Sequence, residues 1–492
     1  MLDESILIII AILFPILAGT ILLFIKEPKS RNSLLLYVSL VFVICGILTV
    51  GILLGKEQEL YLFSLTEELP ILFKPDALGK LFLIIAAVLW CAAGIFSFSY
   101  MKHEQREKRY FGFYLITFGV LTGLSCAGNL ITMYAFFEFM TLASFPLVLH
   151  SQTRASIMAS LKYLMYSFFG AYMALFGVFF LCYYESTLSF VPGGALGQGV
   201  ADHRELMLLA ACLMIVGFSV KAGCFPLHAW LPTAHPVAPA PASAVLSGVI
   251  VKAGVFAIMR VIFYQFGSDF IKGTYVQYVL LVLSLITVFM GSMLAFREKV
   301  LKKRLAYSTV SQLSYILVGI GFLTPESLTG ALWHMAAHGV IKCVLFLCAG
   351  AIIVRTGITS VEHLKGIGKK MPITIWCFTI ASLGLIGIPP TSGFISKWHL
   401  AMGALDSGIS VFQYVAPVVL LVSALLTAGY LLPVSIQGFF PGEEYDYGSE
   451  SKCERDLDMV IPLIVLTALS LLLGIFSKGL TEHFMFLAKS LL

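Results

Sequence analysis

Residues 221–260 read KAGCFPLHAWLPTAHPVAPAPASAVLSGVIVKAGVFAIMR. This otherwise apolar run holds two lysines (Lys221 and Lys252), two histidines (His228 and His235) and prolines at 226, 232, 236, 239 and 241. Ionisable side chains at membrane depth are costly and usually line an ion path. Helices interrupted by Pro or Gly survive in lipid only where protein or water satisfies the freed backbone groups. The stretch therefore predicts a broken helix at the working centre of a membrane protein.

The composition of the whole chain places it in the same class. Of 492 residues, 59% are hydrophobic and 12% charged, whereas soluble proteins carry about 25% charged residues. We therefore expect an all-α polytopic membrane protein. The ten cysteines form no CxxC pair and no Cys/His finger spacing, so no metal or other cofactor is predicted. The net charge of +5 reflects basic residues at membrane faces, which disfavours nucleic acid as a partner. The first apolar run lacks a basic n-region and a cleavage site, and we interpret it as a retained span.

Apolar runs of roughly 20 residues predict the membrane spans. Fourteen such runs are present, at about 5–25, 33–55, 79–100, 110–128, 129–149, 160–185, 205–232, 237–262, 274–296, 305–323, 328–354, 373–403, 411–435 and 459–477. Residues 57–77 alternate between polar and apolar, and this pattern predicts a small extramembrane hairpin or interfacial segment.

The distribution of lysine and arginine predicts the orientation. Nineteen of these residues follow odd-numbered spans and seven lie on the opposite face. The positive-inside rule assigns the nineteen to the cytoplasm. We therefore expect a multi-pass protein of the cell membrane with both termini on the outer face.

A few ionisable residues lie inside the spans themselves. The basic ones are Lys162, Lys221, Lys252, Arg260, Lys342 and Lys397, and Glu138 is the one carboxylate deep inside a span. His334 and His338 precede Lys342 at intervals of four residues, which places all three on one helix face. A Gly/Pro break precedes Lys397, as another follows Lys221. Two broken helices five spans apart predict a duplicated unit in spans 4–8 (110–262) and spans 9–13 (274–435). A three-helix segment (1–109) precedes it, and a last span with a C-terminal tail (436–492) follows.

Static interpretations are available for single members of this set. Arg260 lies near a span end, and we expect it to be an anchor whose head reaches the interface. Lys162 fits either the interface or the interior. Glu138 with one lysine could form a fixed ion pair, the histidines of span 11 could be packed and neutral, and His228 and His235 are expected to serve loop or gate structure.

The set as a whole favours a proton relay. One carboxylate faces four lysines, at 221, 252, 342 and 397. Charged lysines without partners in a dry interior cost several kcal/mol each, so we expect some of them to be neutral part of the time. Histidines titrate near physiological pH. Lysines of this kind beside histidines can store and pass protons.

Several motifs resemble one family of membrane proteins. The run KAGCFPLHAWLPTAHPVAPAPASAVLSGVIVKAG resembles the signature of antiporter-like subunits of Mrp cation/proton antiporters, respiratory complex I and energy-converting hydrogenases. FEFMTLASFPL around Glu138, KKRLAYSTVSQLSY, HMAAHGVIKCVLFLCAG and GIPPTSGFISK agree with it. The resemblance extends over residues 75–435. It implies fourteen helices, with two inverted five-helix repeats in which helices 7 and 12 are broken.

The resemblance also implies roles for the residues at the matching positions. Glu138 and Lys221 would form the coupled pair, and Lys252 and His338 the central relay. Lys397 would be the terminal proton site. His334 and Lys342 match the polar face of span 11.

Within the family, the chain resembles the D subunit of Mrp antiporters or the related subunit of a membrane-bound hydrogenase. The longer family members carry C-terminal extensions, and one complex I subunit has Glu in place of Lys397. We expect proton translocation, alone or coupled to Na⁺ exchange, with other membrane subunits as partners. The alternatives are the ion-pumping subunit of a redox complex (NADH-quinone oxidoreductase or hydrogenase), a structural subunit with an inactive path, and a solute transporter. Any redox cofactors would then reside in the partners.

Overall fold

A computed structural model describes residues 4–26, 30–66, 69–184, 188–194, 196–197, 202–442, 445, 453–454 and 456–492. Lys29, Lys452 and Arg455, three of the basic residues that predict the orientation, lie outside this part of the chain.

The described chain is almost entirely helical. Its first part contains α1 (Glu4–Phe24), α2 (Arg31–Leu54), strands β1 (Leu60–Ser64) and β2 (Pro70–Phe73), α3 (Ala77–Tyr100), α4 (Glu107–Ser125), α5 (Leu130–Val148), α6 (Arg154–Tyr184), α7 (Arg204–Lys221) and α8 (Leu231–Val237). Then come α9 (Ala240–Phe266), α10 (Ser268–Ile271), α11 (Tyr275–Arg297), α12 (Leu301–Gly321) and α13 (Pro325–Thr356). The last part contains α14 (Ile367–Lys370), α15 (Pro372–Ile386), α16 (Ser392–Leu405), α17 (Phe412–Phe439), α18 (Leu457–Ile475) and α19 (Ser477–Leu491).

Helices occupy all fourteen of the predicted apolar runs. In the described residues, ten helical stretches are long and apolar enough to cross a membrane. The others are interrupted, as in α7 and α8, or carry many polar side chains, as in α12. The all-α polytopic membrane fold is confirmed, while the figure of fourteen crossings remains a prediction.

Both predicted breaks are present. Helix α7 ends at Lys221, and Gly223 takes a positive φ of 71° before α8 begins. Helix α15 ends at Ile386, where Gly387 has a φ of 93°, and α16 starts at Ser392. A residue with a side chain is strained at such φ values, so glycine permits the chain to leave the helix there. The breaks place Lys221 and Lys397 beside helix ends.

Helix α13 forms the centre of the bundle. Every residue from Ser327 to Ile352 is buried, because α3, α9, α12, α15, α16, α18 and α19 pack around it. The outer helices expose apolar side chains, such as Ile47 on α2, Met165 on α6 and Leu425 on α17. This is the pattern expected where lipid is the solvent, and it separates α13 from the lipid.

Strands β1 and β2 pair as an antiparallel hairpin, with Leu60 opposite Phe73. The hairpin is tied to the start of α5, since the Leu72 amide donates to Thr132 Oγ1 at 2.9 Å. The hairpin predicted within residues 57–77 is therefore confirmed, while its position outside the membrane or at the interface remains a prediction. No structure was predicted for the tail after the last span, and it forms α19. There Phe484 packs against Trp333 of α13, whose Nε1 donates to Thr481 Oγ1 at 3.0 Å.

The prediction for Arg260 is wrong. Its side chain is 1% exposed, and its two terminal nitrogens donate to both carboxylate oxygens of Asp76 at 2.5 Å. The guanidinium also lies 4.3 Å from the ring centroid of Tyr264. Asp76 accepts in addition from the Gly79 amide at 2.9 Å and caps α3. The position of Arg260 near a span end predicted that its head would reach the membrane interface. Instead the guanidinium is buried and pairs with Asp76, which is remote in sequence.

Candidate ion pathway

Lys221 stands at the last residue of α7 and reaches α5 and α6. Its Nζ donates to Tyr163 OH at 2.7 Å, Thr141 Oγ1 at 2.9 Å and Ser167 Oγ at 3.2 Å. The residue is buried. An ammonium group has three protons, and here all three have neutral hydroxyl acceptors. Lys221 is thus solvated by the protein without a charged partner in direct contact.

Glu138 lies one turn before Thr141 on α5. It is half-buried, and within the described residues its Oε1 has no hydrogen-bond partner. In the same part of the chain no ion pair within 4.0 Å joins it to Lys221. The pair implied by the resemblance is therefore not in contact in this conformation, and Thr141 from the same helix holds the ammonium.

Lys252 and Lys342 lie at the two ends of a group of hydrogen bonds formed by Ser247, Thr309 and the Leu305 carbonyl. Lys252 Nζ donates to the Ser247 carbonyl at 3.0 Å, beside a π-helical turn of α9 (Leu246–Ile250). Ser247 Oγ lies 2.8 Å from Thr309 Oγ1. Thr309 donates to the Leu305 carbonyl at 2.9 Å, and Lys342 Nζ donates to the same carbonyl at 3.0 Å. The two lysines, on α9 and α13, thus share one polar network through α12.

The two histidines of α13 stack on each other, with centroids 5.7 Å apart and ring planes 8° from parallel. His334 Nδ1 lies 2.9 Å from Ser396 Oγ on α16. The other face of His334 stacks on Tyr315 of α12 at 5.3 Å. Neither ring nitrogen of His338 has a hydrogen-bond partner among the described residues. The predicted shared face is confirmed, and it points toward α12 and α16.

Lys397 lies against the broken end of α15. Its Nζ donates to the carbonyls of Leu385 and Ile386 at 2.6 and 2.9 Å. These belong to the last turn of α15, where helix carbonyls lack internal partners and the helix dipole favours a cation. Lys397 Nζ also lies 5.1 Å from the ring centroid of Tyr315. Tyr315 therefore contacts both Lys397 and His334.

Two groups emerge from these contacts. The larger has two parts, one joining Lys252 to Lys342 and one joining His338 and His334 through Tyr315 to Lys397. The two parts meet on α13, where Lys342 follows His338 by one helical turn. The smaller contains Lys221 and Glu138, and among the described residues no hydrogen bond joins Lys221 to Lys252. The two groups come close where α7 packs on α9. Gly254 of α9 lies so near α7 that a Cβ on it would be 3.0 Å from the Cβ of Lys221.

Several hydroxyl groups lie beside or between the candidate residues and were not predicted from the sequence; three of them accept from Lys221. A hydroxyl group donates one hydrogen bond and can accept others, so it can bridge two titratable groups. Thr141 could have been found from its i+3 spacing to Glu138, and Ser396 from its place beside Lys397. Ser247 and Thr309 meet only in the folded protein and leave no sequence signal. The full set is Thr141, Tyr163, Ser167, Ser247, Thr309 and Ser396.

A family model described as "NADH:quinone oxidoreductase/Mrp antiporter, TM" matches residues 127–427, which include all the candidate residues named above. The chain belongs to this family. The predicted family is therefore confirmed, and the chain is an antiporter-like membrane subunit.

Relatives within the NADH:quinone oxidoreductase/Mrp antiporter family align over nearly the whole chain. NADH-quinone oxidoreductase subunit N of Desulforudis audaxviator is 30% identical over 97% of this chain and 97% of its own length. The D subunit of the Na(+)/H(+) antiporter of Alkalihalophilus pseudofirmus is 28% identical over 99% of this chain and 97% of its own length. A chain of the Mrp complex from Dietzia superposes with a TM-score of 0.85 at 24% identity, covering 100% of this chain and 98% of that chain. This likeness confirms the fold.

Proposed function

We propose that this chain translocates protons across the cell membrane, alone or in exchange for Na⁺, as one subunit of a larger membrane complex. The observation that carries the proposal is the row of polar residues from the buried Lys252, Lys342, His338 and His334 to the half-buried Lys397. In support, one relative is named as the D subunit of a Na(+)/H(+) antiporter and another as NADH-quinone oxidoreductase subunit N. The matching structures come from multisubunit membrane complexes.

The contacts of the lysines favour a mobile proton over a fixed ion pair. Lys221, Lys252, Lys342 and Lys397 donate to hydroxyls and backbone carbonyls. None of the four forms an ion pair within the described residues. A carboxylate contact would hold the charge in place, whereas a neutral acceptor leaves the lysine free to give up its proton when the local field changes.

Movement of the Glu138 carboxylate would change the electrostatic field at Lys221. Opposite charges ~4 Å apart at an effective dielectric of ~20 attract by about 4 kcal/mol. Movement of the carboxylate toward or away from Lys221 would change the free energy of the bound proton by this order, which is about three powers of ten in proton affinity. The separated arrangement described above would be the state in which Lys221 releases its proton.

The proposed route follows the row across the membrane. A proton arrives near Lys221, passes laterally to Lys252 and Lys342, continues over His338 and His334, and leaves from Lys397 on the opposite side. We place both termini on the outer face, in agreement with the positive-inside rule. We also propose that residues 110–262 and 274–435 are inverted repeats, each contributing one broken helix.

Substitution of Lys221 tests the function. In inverted membrane vesicles containing the complete complex, we expect Lys221→Met to lower proton transport at least tenfold while the protein remains assembled. Lys162→Met is the matched control, because Lys162 lies half-buried on α6 and donates to none of the hydroxyls around Lys221. Full transport by Lys221→Met would contradict the proposal and favour a structural role.

A redox-driven pump is the second candidate, favoured by the 30% identical relative named NADH-quinone oxidoreductase subunit N. The purified complex separates the two candidates. Na⁺-dependent proton exchange in proteoliposomes without an electron donor indicates an antiporter. Proton uptake that starts only with an electron donor indicates a redox complex whose cofactors reside in partner subunits.

A further inference from the structure

A cavity of about 500 Å³ lies at the end of α11 and is lined by none of the candidate pathway residues. It is enclosed by the start of α12, the last turns of α17 and the loop at residues 361–365. Arg297, Lys299, Arg304 and Lys365 line it, and Glu362 is its one acidic residue. The cavity is therefore basic, and the positive-inside rule assigns this face to the cytoplasm.

Most of that positive charge is uncompensated. Lys299 Nζ pairs with Glu362 at 2.8 Å. In the described part of the chain, Arg297, Arg304 and Lys365 form no ion pair. Three cations around one cavity repel each other, and an anion between them would remove that repulsion.

One of the three cations is fixed in place. Arg304 is 8% exposed. Its Nε donates to the Glu298 carbonyl at 2.7 Å, and its Nη1 donates to the Tyr430 carbonyl at 2.8 Å. Two of the five N–H donors of the guanidinium are thereby used on backbone, and the orientation of the others is set before any ligand arrives. Such preorganisation lowers the entropic cost of binding.

The walls of the cavity are also fixed by backbone hydrogen bonds. The Leu301 amide donates to the Thr359 carbonyl and the Val361 amide to the Lys299 carbonyl, each at 2.9 Å. The Gly366 amide donates to the Gln437 carbonyl at 2.9 Å and joins the loop to α17. The cavity is therefore preformed.

An apolar surface begins beside the cavity. Phe289 and Phe296 of α11 are 46% and 49% exposed, and Leu425 and Ile436 of α17 are 73% and 55% exposed. The two helices approach each other closely here, because a Cβ built on Gly429 would lie 2.9 Å from the Phe296 ring. A ligand that fits both parts has an anionic head and apolar tails.

We infer that this cavity binds the phosphate-bearing headgroup of an anionic glycerophospholipid, whose acyl chains lie along the exposed faces of α11 and α17. Basic pockets between helices at the cytoplasmic side are suited to such headgroups. The site uses none of the residues proposed for proton transfer, so it stands or falls independently of the proposed function.

Lipid binding to the intact purified complex tests the inference. In native mass spectrometry with titrated lipid, we expect phosphatidylglycerol to bind at least tenfold more tightly than phosphatidylcholine. The double variant Arg297→Gln/Lys365→Gln should lose that preference, because it removes two of the positive charges that line the cavity. It should still fold, since both side chains are exposed and make no ion pair within the described residues. The control Lys26→Gln/Arg154→Gln removes two exposed charges from the same predicted face and should keep it.

Four results would overturn the inference. Equal binding of the two lipids would show that the charge of the cavity recognises no headgroup. An unchanged preference in the Arg297/Lys365 variant would place the lipid elsewhere. Saturation of the cavity by inorganic phosphate with no added affinity for the lipid, or a cross-link from Lys365 to an acidic segment of a partner protein that excludes lipid, would assign the charges to another ligand.

Discussion

The buried pair between Asp76 and Arg260 leads to a stability prediction that does not depend on transport. The substitution is Asp76→Asn, which removes the negative charge and keeps the size of the side chain. Arg260 is 1% exposed and Asp76 13% exposed, and two hydrogen bonds of 2.5 Å join them. In the variant a buried guanidinium would lose its counter-charge.

The magnitude follows from this geometry. Breaking a buried ion pair by removing one partner costs about 3–5 kcal/mol, because the other charge stays buried without compensation. The amide oxygen of asparagine can still accept from the Gly79 amide, so the cap of α3 is retained. We expect a loss near the lower end, about 3 kcal/mol, because Asp76 is slightly exposed and water can reach the amide.

The assay is reversible unfolding by SDS in mixed micelles, followed by circular dichroism. Glu59→Gln is the matched control. Glu59 pairs with Lys74 at 2.8 Å, but the two side chains are 57% and 32% exposed, and such surface pairs contribute about 0.2–1 kcal/mol. If Asp76→Asn lowers the free energy of unfolding no more than Glu59→Gln does, the account of the buried pair is refuted. The double variant Asp76→Asn/Arg260→Met should recover part of the loss, because no charge is then left unpaired.

Three further predictions concern pH, packing and the polar row. Burial, and to a smaller extent the nearby Arg109, lowers the pKa of His150 to about 4. The unfolded chain therefore binds a proton to this residue more strongly, so the free energy of unfolding falls as the pH drops from ~6.5 toward 4, by about 1 kcal/mol between pH 7 and 5.5. His150→Gln should flatten that pH dependence in the same unfolding assay. Gly393→Ala should lower the amount of folded protein in detergent extracts, because its Cβ would overlap the Gly384 carbonyl oxygen. Gly46→Ala, whose Cβ would have no atom within 4 Å, is the control and should leave the yield unchanged. Equal yields of the two variants would contradict the close packing at Gly393. Thr309→Val should slow proton transport several-fold in vesicles by removing the hydroxyl between Ser247 and the Leu305 carbonyl, and an unchanged rate would exclude that bridge from the route.

The helices could be predicted from sequence because hydropathy and Gly/Pro breaks are local signals. The runs at 205–232 and 373–403 were predicted as broken, and their breaks fall beside Gly223 and Gly387. Helix α19 escaped prediction, because its apolar residues, such as Phe484 and Leu487 on the buried face, are interspersed with polar residues such as Lys478 and Glu482. A hydropathy window detects spans and overlooks such a helix.

Only part of the candidate site could be predicted in the same way. The shared face of His334, His338 and Lys342 follows from their spacing on one helix. The partners of Arg260 could not be inferred, because Asp76 lies on a different segment and no local pattern connects the two. The hydroxyl acceptors of Lys221 were hidden for the same reason, since Thr141 and Tyr163 come from two other helices.

The complete enclosure of α13 has a consequence for how the chain is made. A lysine at the centre of a membrane helix raises the free energy of insertion by about 2.5–3.5 kcal/mol, and Lys342 is accompanied by His334 and His338. In a nascent chain that ended at Thr356, α12 would already contact Lys342 and one face of His334. The sides of α13 that later pack on α15, α16, α18 and α19, including the side of His334 beside Ser396, would still face acyl chains. Biogenesis of the second half is therefore coupled to its last helices, and a premature stop anywhere before α18 would yield a product that membrane proteases can recognise by its uncovered polar groups.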